Sequence, residues 1–220
     1  MKLPGSKQPR LSRPLWTSLF GWVAVLGSVV VLLSDFVGCV VVEDHNPISE
    51  TISKLAVGEY GWVQDVGLDV FAAGVIATAI GLLVWQWGGI RWRIGVVALV
   101  LTAITVLVIA EYDEYKGFDG FGVDIHLACV YILYVVVAVA AVTLGLELRP
   151  VGRGYRTASF VFAAVWLVGS PIFMFAAPTS IDGAIERFLA VCLVAWISML
   201  AWLLIRKGQR RPGEWGEGEA

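Results

Sequence analysis

A chain of 220 residues that is 58% hydrophobic, 15% charged and of mean hydropathy +0.79 is too apolar for a water-soluble domain, in which about 25% of residues are charged. The formal net charge of −2 points to no partner, and three cysteines, few and odd in number, exclude a disulfide framework. At about 20 apolar residues per span, the length holds six helices with short loops and no second, soluble domain.

Residues 1–14 form a basic arm with Lys2, Lys7, Arg10 and Arg13. The first apolar block, Leu15 to Val37, can cross a hydrocarbon core of about 30 Å as a helix. The arm, the apolar stretch and Phe36-Val37-Gly38-Cys39 also resemble a lipoprotein signal. Phe is a poor residue three before the cysteine, and Asp35 interrupts the apolar run, so a retained span is expected.

The loop that follows carries helix signals. Asn46 suits an N-cap and Pro47 the first helical position. Ile48, Ile52 and Leu55 recur at i, i+4 and i+7, and Gly58 can end the segment. The pattern predicts a short helix over 46–57, lying flat on the interface as a lid, with Ser49, Glu50 and Ser53 on its opposite face.

Five more blocks follow: Trp62 to Trp85, Trp92 to Ala110, Val123 to Leu146, Tyr155 to Ala177, and Ile181 to Ile205. None alternates as a transmembrane strand would, so the expected fold class is all-α, a polytopic membrane helix bundle with its core over 15–205. In the second block, Gly67, Gly74 and Gly81, and Ala73, Ala77 and Gly81, form small faces that let helices approach closely. In the fifth, Pro171 after Ser170 could break the helix. Past Ile205 the chain turns basic, then Gly- and Glu-rich, and 206–220 reads as a flexible tail.

Orientation follows from the basic flanks. The arm, the second loop (Arg91, Arg93), the fourth loop (Arg149, Arg153, Arg156) and the tail (Arg206, Lys207, Arg210, Arg211) hold thirteen of the sixteen Lys and Arg residues. Lys54, Lys116 and Arg187 alone fall on the other side. The expected location is the inner (plasma) membrane, with both termini cytoplasmic. Trp16, Trp85, Trp87, Trp92 and Trp202 then mark the inner interface and Trp62 the outer.

Apart from Arg93 and Arg156 at inner span ends, the charged residues and histidine within the spans are confined to the outer half. Asp35 lies in the first, Asp65 and Asp69 share a face of the second, Asp124 and His126 open the fourth, and Glu186 and Arg187 stand near the start of the sixth. A charge in hydrocarbon costs about 2.5 kcal/mol or more and usually faces the bundle interior with a partner. A shared polar cavity opening outward is the economical reading, with Arg187 as counter-ion to Asp69, Asp65 or Asp35. The plainer reading has most of these groups at the interface, reaching water.

His45, His126 and Cys129 are candidate metal ligands, although their spacing matches no zinc or haem motif. Ser49 and Ser53 near His45 could supply a nucleophile, but serine more often caps a helix. Glu111, Asp113, Glu114 and Asp119 in the third loop could hold calcium loosely, a solvated acidic loop being the commoner case. No cofactor is expected, a metal being the alternative.

The run Asn46-Pro47-Ile48-Ser49-Glu50-Thr51-Ile52-Ser53-Lys54-Leu55-Ala56-Val57-Gly58, with Gly61-Trp62-Val63-Gln64 after it, resembles the first-loop signature of the domain of unknown function 998 family. Two weaker features are similar: His126 after a loop with Phe118 and Asp119, and Gly183-Ala184-Ile185-Glu186-Arg187 entering the sixth span. Lys54 departs from the acidic residue of the family's Ser-x-Leu step, and the third loop is short. The resemblance implies a multi-span bacterial or archaeal membrane protein and carries no established activity. It also implies that Ser49, Ser53, His126, Glu186 and Arg187 form one assembly.

Three functions compete. The favoured one is non-enzymatic: a polar cavity binding a lipid headgroup or small amphiphile at the outer leaflet, or an accessory subunit of a membrane complex. The second is a metal-dependent intramembrane hydrolase acting on a lipid. The third is a small transporter, against which stand the absence of an internal repeat and of a polar path through the inner half. The expected partners are membrane lipids and other membrane protein subunits, and not nucleic acid.

Overall fold

The computed structural model describes residues 14–85, 88–112 and 121–209. These form six α-helices and one short 3-10 helix, with no strand among the described residues. The helices are α1 (Pro14–Val41), α2 (Gly61–Trp85), α3 (Ile90–Glu111), α4 (Phe121–Glu147), α5 (Arg153–Phe175) and α6 (Asp182–Gln209). All six are long and apolar enough to cross a membrane. Leu26, Leu33, Val97 and Val168, each more than half exposed, turn outward, a surface tolerable only where the surroundings are themselves apolar. This is a multi-pass membrane protein.

Each helix packs against its neighbours in sequence, and α1 closes the ring against α6. The tightest seam is α1 on α2, where Gly27 and Gly74 face one another and a Cβ on either would press on the other helix's backbone. A Cβ on Gly67 would meet the Ser34 side chain, and one on Gly81 the side chains of Leu204 and Phe20. Without a hydrophobic driving force between helices in lipid, such close backbone approach is a main source of cohesion.

Several elements differ from the sequence-based expectation. α1 continues to Val41, so Asp35 and Cys39 both lie on a helix; α6 runs to Gln209, four residues into the expected tail. α5 passes through Pro171 unbroken to Phe175, although that proline has no N–H for the helical ladder. Trp85 and Trp92 are buried at 2% exposure, not lipid-facing. They pack edge to face at 5.5 Å, Trp92 Nε1 donates to the Leu82 carbonyl, and Lys207 lies over the Trp85 ring. Trp16, Trp62 and Trp202 are exposed, as interfacial residues are.

The loop helix expected over 46–57 is two separate turns. Asn46 Oδ1 accepts from the Ile48 N–H while the Asn46 carbonyl accepts from the Glu50 N–H, which completes one capped turn. A 3-10 helix then spans only Ser53–Ala56, with Ile52 at its N-cap position. Leu55 is fully buried but Ile48 is exposed, so the apolar stripe is not one face of a rod. The continuous helix fails because Glu50 and Ile52 are drawn into bonds with α6, described next.

Candidate functional site

Arg187 leaves α6 toward the first loop and uses every N–H it has. Nε pairs with Asp35 of α1 at 3.2 and 3.3 Å. Nη1 donates to the carbonyls of Pro47 (2.9 Å) and Glu50 (2.7 Å), with Gly183 O at 3.3 Å. Nη2 donates to Cys39 Sγ (3.4 Å) and His45 Nε2 (3.0 Å). The guanidinium thus ties α1, the loop and α6 together.

The neighbouring residues of α6 complete this grip. The Ala184 N–H donates to the Ile48 carbonyl, and Glu186 Oε2 accepts from the Ile52 N–H at 2.5 Å. Gly183 is where the loop comes closest, because a Cβ there would collide with the Glu50 and Pro47 carbonyls. Loop signature and α6 signature are therefore two sides of one joint. On the loop itself, His45 Nδ1 lies 3.1 Å from Glu50 Oε2, and Lys54 also pairs with Glu50. Burial, then the Arg187 charge, pushes the His45 imidazole below its ordinary value. The Lys54 bond and the Asn46 N–H hold the Glu50 carboxyl below its usual range.

Beneath the loop lies a cavity of about 410 Å³ lined by all six helices, within the size range of small-molecule sites. Its polar layer holds Asp35, Ser53, Gln64, His126, Ser170 and Glu186. Those on helices stand within six residues of their helix ends at the loop face, roughly 5–9 Å deep. Below them the wall is apolar or aromatic: Phe71, Tyr134, Trp166, Leu193 and Val194 among others. Phe71 is ten and Val194 twelve residues into its helix, roughly 15–18 Å down. Lining residues Leu32, Leu127, Tyr131 and Val191 are also exposed on the bundle's flank, so the cavity walls border the lipid.

Apart from Asp35 Oδ1, which is ion-paired with Arg187 at 3.2 Å, three polar atoms of lining residues are buried and have no hydrogen-bond partner among the described residues: Thr51 Oγ1, Gln64 Oε1 and Ser170 Oγ. Gln64 and Ser170 are 1% and 5% exposed. Buried polar groups without protein partners are rare in native proteins, and at a cavity wall they can meet water or the polar part of a guest. His126, 3% exposed, has its Nδ1 2.8 Å from the Tyr112 carbonyl and its Nε2 3.5 Å from Ser53 Oγ.

Of the residues singled out in the sequence, the cavity brings together Asp35, Ser53, His126, Glu186 and Arg187, and leaves out Ser49, Asp65 and Asp69. On α2 the cavity face is Gln64, Leu68 and Phe71; Asp65 and Asp69 each follow a cavity residue by one position, about 100° around the helix. Ser53 meets His126, not His45. The histidines are in separate places with both ring nitrogens engaged. Buried Cys129 does not line the cavity. Among the described residues no three His, Cys, Asp or Glu side chains converge as metal ligands, and Asp113, Glu114 and Asp119 lie outside the described residues. Thr51, Gln64 and Ser170 were missed because depth was read from ionisable residues alone. A neutral amide among apolar neighbours near a span end was the available signal.

No curated protein and no solved structure matches the chain. A family model does match, over residues 25–203, from the middle of α1 nearly to the end of α6 and including the whole loop joint. The chain belongs to the family described as protein of unknown function (DUF998).

Proposed function

We propose that this protein binds an amphiphile, its polar head beneath the first loop and its chain in the apolar well. The observation that carries this reading is the layering of one cavity, polar at roughly 5–9 Å and apolar or aromatic to roughly 15–18 Å. The head is uncharged or cationic. Arg187 has no N–H to spare for an anion, while Asp35, Asp182 and Glu186 all line the mouth. The basic flanks support a mouth at the outer leaflet of the plasma membrane, with both termini cytoplasmic. A C-terminal alkaline phosphatase fusion should therefore be inactive, and the opposite result would invert the orientation.

The binding test is to identify amphiphiles that copurify with the protein, by mass spectrometry of the detergent-solubilised complex. Leu193→Trp should fill the well and abolish that retention while the fold persists. Retention of the same molecules by the filled variant would sink the reading.

A further inference from the structure

We infer that Ser53 and His126 form a nucleophile–base pair that cleaves carboxylic esters of long-chain fatty acids with uncharged or cationic alcohols. This rests on the amphiphile reading of the cavity and adds a reaction to it.

A carbonyl oxygen can only accept, so the 2.8 Å contact with the Tyr112 carbonyl fixes the His126 proton on Nδ1. Neutral His126 therefore presents a lone pair at Nε2, and the group facing it at 3.5 Å is the Ser53 hydroxyl. The hydroxyl must donate to the imidazole. That is the orientation a base needs to activate a serine, with a backbone carbonyl holding the ring in place of a carboxylate. The spacing is loose, as such pairs often are without substrate. The commoner use of a serine here, capping the helix, does not apply: the N-cap position of the 3-10 helix is held by Ile52, not Ser53. Both residues line the cavity at its polar layer, where an ester linkage would sit with its acyl chain in the well.

The steps balance. Ser53 Oγ bonds to the ester carbonyl carbon as its proton passes to His126 Nε2. The tetrahedral oxyanion is within reach of the lining that holds the unpartnered Thr51 hydroxyl, a donor of the kind that stabilises such charge. The carbon–oxygen bond to the alcohol breaks, and Nε2 returns the proton to the leaving oxygen. Water then attacks the acyl-serine carbonyl carbon, giving its proton to Nε2; the bond from that carbon to Ser53 Oγ breaks, Oγ takes the proton from Nε2, and the fatty acid departs.

The test uses the full chain in detergent with three probes: a long-chain alkyl fluorophosphonate, a monoacylglycerol, and the matching monoalkyl glycerol ether, which cannot be hydrolysed. Fluorophosphonate should label the peptide containing Ser53, and monoacylglycerol should be hydrolysed. Ser53→Ala should lose both. His126→Gln should lower both by about 100-fold or more, and Ser49→Ala, outside the cavity, should match the parent protein. Ser53→Ala removes one small group, so its unfolding temperature and ether binding report whether it is folded. Protein that binds the ether but is not labelled and does not hydrolyse the ester overturns the pair and leaves the binding reading standing. Label and hydrolysis that persist in Ser53→Ala overturn the pair too. Failure of the ether to bind counts against the amphiphile reading instead.

Discussion

The Arg187 guanidinium donates from Nη2 to His45 Nε2 across 3.0 Å, so a cation is held by an imidazole that has to be neutral. The His45 proton then sits on Nδ1, facing Glu50 at 3.1 Å. A second proton on His45 would set donor against donor beside a fixed positive charge. The loop joint is therefore acid-sensitive.

The pH dependence follows with a definite sign. His45 titrates below 6.5 in the folded protein, so as pH falls past 6.5 the unfolded chain takes up the proton first. The stability due to neutral His45 is full above 6.5 and is lost as pH falls through the lower folded value. Glu50, held below 4.5, adds a loss in the same direction at lower pH. Thermal unfolding in detergent should fall from pH 7 to 5, and less steeply in His45→Gln, whose amide can still accept from Arg187. Equal slopes would remove His45 from the joint.

Arg187→Ala should lower stability, by less than the roughly 3–5 kcal/mol that follows from leaving one partner of a fully buried pair alone, because the two side chains keep 15% and 25% exposure. Here the orphan is Asp35, together with the Pro47 and Glu50 carbonyls. Adding Asp35→Asn should recover part of the loss by removing the unpaired charge. Arg187→Lys should recover little, because an ammonium cannot reach acceptors on three elements with a planar fork. An unchanged unfolding temperature in Arg187→Ala would show that the loop is held some other way.

Gly183→Ala tests the same joint sterically. Its Cβ would collide with the Glu50 carbonyl, so the loop must lift. A loss of about 1–3 kcal/mol is expected from such overpacking. A cysteine placed at Ser53 should then react faster with a water-soluble maleimide in the Gly183→Ala background. Unaltered reactivity would mean that α6 yields and the loop does not.

The bundle was legible because apolar blocks of span length have few other ways to exist. Asp35 and Arg187 were also legible, since a charge at depth calls for a counter-ion. The loop was not. Asn46 and Pro47 do start a turn, but the helix they announce competes with long-range bonds from Glu186 and Arg187, and no local propensity encodes those. His126 illustrates the same limit. Its distance of three residues from Cys129 suggested a shared ion, whereas its partners come from the end of α3 and the first loop.

Gln64 offers the sharpest contrast between stability and binding. Its Oε1 is buried at the cavity wall without a partner among the described residues, a condition that costs about 1–3 kcal/mol. Gln64→Met keeps the length of the side chain and removes the unsatisfied dipole, so the ligand-free variant should be more stable than the parent by about that amount. The parent, in turn, should gain more from an amphiphile whose head carries a hydroxyl, because Gln64 Oε1 can accept from it. Ligand that binds the folded state alone raises the unfolding temperature, and raises it further the tighter it binds. Titrating a monoalkyl glycerol ether into both proteins should therefore raise the parent's unfolding temperature further than the variant's, narrowing or reversing their order. A variant that is less stable without ligand would mean that Gln64 already has a structural partner. Equal shifts in the two proteins would mean that the head does not reach Gln64.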